Sequence, residues 1–318
     1  MKKVLIIGAN GYIGARLSYL LANNNYEITA ICYPQIPADK KWTLPLKNIE
    51  VYDVQNEKSI GRITDKKYDV AIYLVSLDHH QSNVFAPYKV CNINVLPVWN
   101  LLSSFSKNGN VNKFIYFSTI HIYGSLSKGK IIKEKHTPNP KTPYALTHLM
   151  AEDICNMFNN TSSMDCINIR LSNSYGSPFF KDSNCWWLVV NDLCKNAYEN
   201  KKIVLQSDGS PLRDFIHYND IFEAIKIIIN NNNKFNTYNL SSGKTYSIYQ
   251  LAKKVQKVYL NKYSKNIPIE LPSGVAPKNT LEKYFIDNSR LKNLGFKLST
   301  TLEQGIEELF NYFENESE

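Results

Sequence analysis

No apolar run in this 318-residue chain approaches the ~20 residues that a membrane-spanning helix needs. The chain is therefore expected to be soluble, with no membrane partner. Its opening, Met1-Lys2-Lys3-Val4-Leu5-Ile6-Ile7-Gly8, has the positive start of a secretion signal, but the apolar stretch stops after four residues and no small-residue cleavage site follows. It reads as a buried strand. Cysteines at metal-ligand spacing are also missing: Cys32, Cys91, Cys155, Cys166, Cys185 and Cys194 are scattered. A chain of this size needs no disulfide framework, so reduced thiols in a cytoplasmic setting are expected, and no metal site. Nor is there a basic block. The 37 Lys and Arg against 28 Asp and Glu leave a net charge of +9, but the lysines are dispersed, and Asn230 to Lys234 reads as a solvated loop. No nucleic-acid partner is expected, whereas a diphosphate ligand needs only a few local cations.

The composition, 43% hydrophobic and 20% charged, is that of a globular protein. Val4 to Ile7 is a short apolar run ending at glycine, followed by a helical pattern (Ile13, Leu17, Leu20, Leu21) and a second apolar run from Ile28 to Cys32. Strand, helix, strand is the unit of a parallel sheet. The theme returns with Val70 to Val75, a helix over Asn94 to Phe105, and Phe114 to Phe117. This predicts a Rossmann-type, doubly wound α/β domain. An amphipathic helix after Tyr144 (Leu146, Leu149, Met150, Ile154, Met157, Phe158) and a strand from Asp165 to Leu171 extend it. From Ser172 onward the pattern changes to loops and short mixed segments with Pro178, Pro211, Pro268, Pro272 and Pro277. We therefore expect a first domain over 1–171 with a return segment at about 212–232, and a smaller mixed α/β domain over 172–318.

Gly8-Ala9-Asn10-Gly11-Tyr12-Ile13-Gly14 lies between the first strand and the first helix. Glycines there permit a tight turn, close approach of backbone to a pyrophosphate, and close packing of helix on strand. The flanking strand and helix supply the context that this motif demands. The first domain is thus expected to bind a dinucleotide and the second a substrate. The second strand ends in Cys32-Tyr33, where an acid would hold the adenosine ribose of NAD, yet no Arg or Lys follows closely to hold the 2′-phosphate of NADP. NAD is the expected cofactor with NADP left open, and Asp53-Val54 is expected to meet adenine.

Further blocks occur in order: Asn94-Val95 with Asn100-Leu101-Leu102; Ser118-Thr119-Ile120-His121-Ile122-Tyr123-Gly124; Pro143-Tyr144-Ala145; Arg170 to Gly176; Asp208-Gly209 with Arg213-Asp214-Phe215; Tyr238 to Gly243; and Asp287 to Arg290. Over nearly its whole length the chain resembles the extended short-chain dehydrogenase/reductase family of nucleotide-sugar epimerases, dehydratases and reductases. The resemblance implies that Thr119 hydrogen-bonds the sugar oxygen being oxidised, that Tyr144 moves its proton, and that His148 reaches the cofactor ribose. It implies that Leu74, Val75, Ser76 and Asn94 border the cofactor, and that Asn173, Arg213 and Lys278 hold the nucleotide-diphosphate sugar. Cys185-Trp186-Trp187 either stacks on the base or is a buried aromatic pair. A homodimer is implied through the helices near Leu96 to Phe105 and Tyr144 to Phe158, where Met150, Ile154 and Met157 either offer apolar surface or face the sheet.

Three departures qualify the resemblance. The family's lysine four places after the tyrosine is His148, which spans the same helical turn but is mostly neutral at pH 7 and gives less support to a tyrosinate. The acid pair of the dehydratase members is Ile120 and His121, so 4,6-dehydration is not expected. The arginine of the diphosphate clamp is absent from Gly274 to Asn279, where Lys278 stands as a point charge. The readings are an NAD-dependent nucleotide-sugar oxidoreductase acting at a ring hydroxyl, C4 by preference; a 4-epimerase using the same residues; or a non-catalytic dinucleotide sensor.

Overall fold

A computed structural model describes residues 1–126, 129–273, 275–276 and 283–317. The chain divides into two compact units. The first comprises Met1–Ser125, Glu134–Leu171 and Ala224–Asn239, and the second Leu126–Lys133, Ser172–Glu223 and Leu240–Glu318.

The first unit is built on a seven-stranded sheet in the order Thr237–Leu240, Asp165–Leu171, Val111–Thr119, Tyr68–Tyr73, Lys2–Ile7, Tyr26–Cys32, Asn48–Val51. The five pairings from Asn48–Val51 to Asp165–Leu171 are parallel. Strands of such a sheet are covered on both faces, which is why Val4 to Ile7 is an unbroken apolar run and wholly buried. Side chains from the strands (Leu5, Tyr73, Phe114, Tyr116) pack with Leu101, Leu102 and Phe105 of the helix Leu96–Asn108 and with Ile154 and Phe158 of the helix Pro143–Thr161. The helix expected over Asn94 to Phe105 is two helices, Pro87–Asn94 and Leu96–Asn108, because Pro97 at the start of the second has no N–H to continue the first. Of the two readings for Ile154, apolar surface or a side chain facing the sheet, the fold shows the second: it belongs to the core.

The second unit has a three-stranded sheet, Thr245–Ser247, Leu212–His217, Asn173–Tyr175, and helices Val189–Asn200, Ile248–Tyr263 and Leu302–Ser317. Its core gathers Leu193, Phe215, Val255, Ile306 and Phe310. The helix Ile248–Tyr263 starts with a reciprocal cap between Ser247 and Gln250. The segment returning to the first unit is 224–239 rather than 212–232. The reason is that Leu212–His217 spends its backbone hydrogen bonds on the two neighbouring strands of the second unit. Among the described residues no helix is long and apolar enough to cross a membrane, and no group of three metal-ligating side chains occurs.

Candidate active site

The glycine turn closes tightly: the Gly8 and Ala9 N–H groups donate to the Ile31 carbonyl at 3.1 and 3.0 Å, and Gly11 N–H to Gly8 O at 3.1 Å. A Cβ on Gly14 would lie 2.1 Å from Gly8 O, so only glycine lets this helix seat on the strand. The helix Tyr12–Ala22 begins at Gly11 with no side-chain cap and no acid in its first turn. The positive end of a helix dipole suits an anion. Beside it the Asn10 amide nitrogen donates to Tyr33 O at 2.9 Å. Cys32 is wholly buried and its thiol is pushed up to about 12 by burial, so it supplies no charge at the end of its strand.

Other residues expected at the cofactor differ in freedom. Asp53 Oδ1 accepts from Gln55 N at 2.9 Å in a local turn, and Val54 is part of the core. Leu74 and Val75 are half-buried and Ser76 is exposed, with Leu74 N–H donating to Ile7 O at 3.0 Å. Asn94 is wholly buried: its Oδ1 accepts from Leu77 N at 2.7 Å and its Nδ2 donates to Thr147 Oγ1 at 2.9 Å. It braces the loop after Tyr73 against the helix Pro143–Thr161.

That helix starts with Thr142, whose hydroxyl accepts from Ala145 N at 3.2 Å, followed by Pro143 in the first turn. Tyr144, His148 and Glu152 recur every four residues and share one face. Glu152 and Arg170 form a buried forked ion pair (Nη2 to Oε2 2.7 Å, Nε to Oε1 3.0 Å), and Arg170 Nη1 donates to Tyr123 OH at 2.9 Å. This network joins the helix to the short turn Ile120–Tyr123 that follows Thr119.

Thr119 is buried and its Oγ1 accepts from His121 N at 3.2 Å. Burial pushes the Tyr144 phenol up to about 12; a side-chain hydrogen bond with Thr119 works the other way, and Asp78 adds to the rise. The His148 ring stands edge-on to Tyr144 with centroids 4.5 Å apart. His148 Nδ1 is 2.8 Å from the Tyr116 hydroxyl, while its Nε2 is buried without a partner. Burial, then the neighbouring His121, lower His148 to about 3, so it is neutral at pH 7.

Of the residues singled out in the sequence, the fold brings Thr119, Tyr144 and His148 together. Three residues near them were missed: Tyr116, His79 and His121 as a ring neighbour. His79 and His121 each meet the Tyr144 ring edge-on, at 6.4 and 6.2 Å. The alternation of the strand, which puts Tyr116 on the same face as Ser118, was the available signal for the first.

In the second unit, Asn173 pairs in register with Phe215, and its Nδ2 donates to Asp214 O at 2.8 Å. Arg213 is half-buried and its Nη1 donates to Leu212 O at 2.9 Å, leaving its remaining donors for other use. Trp186 is half-buried and packs on Tyr312 and Phe313 against the core of this unit. Lys278 lies outside the described residues.

Residues 4–241 match the NAD dependent epimerase/dehydratase family, and the chain belongs to that family. It is 24% identical to human dTDP-D-glucose 4,6-dehydratase, over 98% of this chain and 90% of that one. It is 21% identical to a trifunctional UDP-glucose 4,6-dehydratase/UDP-4-keto-6-deoxy-D-glucose 3,5-epimerase/UDP-4-keto-L-rhamnose-reductase of Arabidopsis thaliana, of which it spans only 47%. The fold is similar to that of Thermotoga maritima UDP-glucose 4-epimerase bound to UDP-glucose (TM-score 0.84, 20% identity, 99% and 100% of the two chains). It is also similar to Bacillus cereus UDP-glucuronic acid 4-epimerase bound to UDP-glucuronic acid and NAD (TM-score 0.77, 20% identity, 98% and 99%).

Proposed function

We propose that this chain is an NAD-dependent oxidoreductase of nucleotide-diphosphate sugars that acts at a ring hydroxyl, C4 by preference. The observation that carries the reading is the cluster of Thr119, Tyr144 and His148 in the same unit as an uncapped glycine turn. The residues fit a dinucleotide: the start of Tyr12–Ala22, with no side-chain cap and the positive end of its dipole there, suits a pyrophosphate, and the unpartnered His148 Nε2 suits a ribose hydroxyl. When bound, the nicotinamide supplies a place for hydride. Tyr144 takes the proton of the sugar hydroxyl during oxidation and returns one during reduction, and Thr119 holds the same oxygen by a hydrogen bond. Because burial favours the neutral phenol, reduction finds Tyr144 already protonated at pH 7, whereas oxidation speeds up as pH rises toward about 12. Ile120 has no proton to transfer, so dehydration is not part of the reading.

We assign the dinucleotide to the first unit and the sugar's diphosphate to Asn173 and Arg213, with Lys278 as a further cation. NAD is preferred to NADP because no cation follows Cys32-Tyr33 closely. A 4-epimerase is the second reading, favoured by the likeness to two solved 4-epimerases. A homodimer is supported by exposed Leu96, Trp99, Leu146, Met150 and Met157 on the helices Leu96–Asn108 and Pro143–Thr161. All six cysteines are free and five are buried, in keeping with a cytoplasmic setting.

The test is to release and identify any copurified dinucleotide, then to present nucleotide sugars and follow nicotinamide absorbance and sugar configuration. Net absorbance change selects the oxidoreductase, and equilibration of two C4 epimers without it selects the epimerase. Dinucleotide binding with no turnover on any nucleotide sugar selects the sensor.

A further inference from the structure

We infer that Tyr116 is a positioning residue: its phenol holds His148 in the tautomer protonated on Nε2, so that a neutral imidazole presents one fixed N–H donor to a ribose hydroxyl of the dinucleotide. The inference rests on the proposed function only for the identity of that acceptor.

The tautomer follows from where each hydrogen can go. The Tyr116 side chain is almost fully buried, and among the described residues His148 Nδ1, at 2.8 Å, is its only hydrogen-bond partner. Burial, reinforced by Cys155, Tyr73, Glu152 and Tyr144, raises the phenol well above its ordinary value, so it keeps its proton. If Nδ1 also carried a proton, the phenolic hydrogen would have to turn into the apolar core with no acceptor, a cost that folded proteins avoid. The arrangement that satisfies both atoms has Tyr116 O–H donating to the Nδ1 lone pair. The imidazole proton is then on Nε2.

Tyr73 stacks on Tyr116 at 6.2 Å and Tyr144 stands edge-on to His148 at 4.5 Å, so both rings are held in place. Nε2 is thereby left as a buried N–H without an acceptor, which is rare unless a ligand supplies one. A lysine at position 148 would combine two contributions, a positive charge beside Tyr144 and a hydrogen bond to the cofactor. The Tyr116–His148 pair separates them. It supplies the directed donor and no charge.

The experiment is 15N NMR of histidine-labelled, ligand-free protein at pH 7, with the His148 signals assigned by their loss in His148→Gln. A single Nε2–H tautomer is expected in the wild type, and Tyr116→Phe should show a mixture. An Nδ1–H tautomer or an imidazolium in the wild type overturns the inference, with no variant required. In parallel, Tyr116→Phe should weaken NAD(H) binding by about three- to tenfold, as for the loss of one well-made hydrogen bond, while kcat at saturating cofactor stays near wild type. Unchanged affinity overturns the positioning role, and a fall in kcat with unchanged affinity does the same. Wild-type protein that binds no NAD(H) removes the ribose as acceptor and with it the proposed function, and the ligand-free tautomer measurement keeps that failure separate from a wrong tautomer.

Discussion

The two units bury a histidine in opposite company. In the first, His148 meets one neutral phenol and keeps Nε2 without a partner. In the second, His217 is buried with Nε2 3.2 Å from Glu308 Oε2, in ion-pair reach but off the line of a good hydrogen bond. Glu308 Oε1 accepts from Ser177 Oγ at 2.6 Å and from Tyr218 OH at 2.7 Å. Burial works to raise Glu308, but His217, Ser177 and Tyr218 outweigh it and bring the carboxyl down to about 2. The second cluster ties the helix Leu302–Ser317 to the strand Leu212–His217 and its surroundings, and its charge is answered within the fold. The first leaves a donor for something the fold does not contain. Burial alone therefore does not separate a site from a staple; the carboxylate set beside His217, with no counterpart at His148 among the described residues, does.

Four variants break or sharpen that contrast. The largest effect is expected from Tyr144→Phe, which should lower kcat by about 10²–10⁴, the range for a positioned acid/base, while NAD(H) titration gives unchanged affinity. Near-normal turnover would make the first cluster a staple as well. Arg213→Ala, next, asks whether the second unit also holds a ligand: nucleotide-sugar affinity, read by calorimetry, should fall by about 1.5–3 kcal/mol with dinucleotide binding intact.

Glu308→Gln should cost stability and not turnover, about 1–3 kcal/mol in urea unfolding at pH 7. The folded carboxyl is depressed from 4.5, so this contribution is complete above about 4.5 and is lost as pH falls toward about 2. The variant should have the flatter acid limb. A Glu308→Gln protein as stable as wild type, with reduced turnover, would reverse the contrast.

The effect of His148→Gln is the smallest of the four near neutral pH and is read as a trend with falling pH. The folded histidine is lowered from 6.5 to about 3, so the unfolded chain binds its proton first and stability drains away as pH falls through that interval. Asp214, raised to about 6 by burial despite hydrogen bonds from Ser172, Ser242 and Lys244, acts with the opposite sign but is common to both proteins. The stability of His148→Gln relative to wild type should rise steadily from pH 6.5 downward. A constant difference would mean that His148 is not buried neutral.

Much of the first unit was legible because its signals are local. The glycine turn, the apolar runs and the four-residue step from Tyr144 to His148 are all properties of neighbouring positions. Tyr116 was not legible as His148's partner: strand alternation says which face it takes, but not that a residue 32 positions later lies opposite. Asn94 was read as a cofactor contact because its type and place matched, whereas both ends of its amide are used by Leu77 and Thr147. The sequence left two readings open for Trp186 and for Ile154, since an apolar side chain carries no mark of which neighbour will cover it; the fold packs both against a core. The excursion of Leu126–Lys133 into the second unit depends on pairing of Ile131–Ile132 with Phe285–Ile286, a long-range contact with no periodic trace.

The forked pair between Glu152 and Arg170 has a consequence for anyone redesigning this protein. Along the helix Pro143–Thr161, positions 144 and 148 carry the proposed reagents, and position 152 carries an anchor. Removing Glu152 would strand a buried guanidinium at a cost of about 3–5 kcal/mol. An engineer can therefore exchange the first two rungs, histidine for lysine among them, on a backbone whose third rung is bolted down, and can attribute the altered chemistry to the rung that was changed.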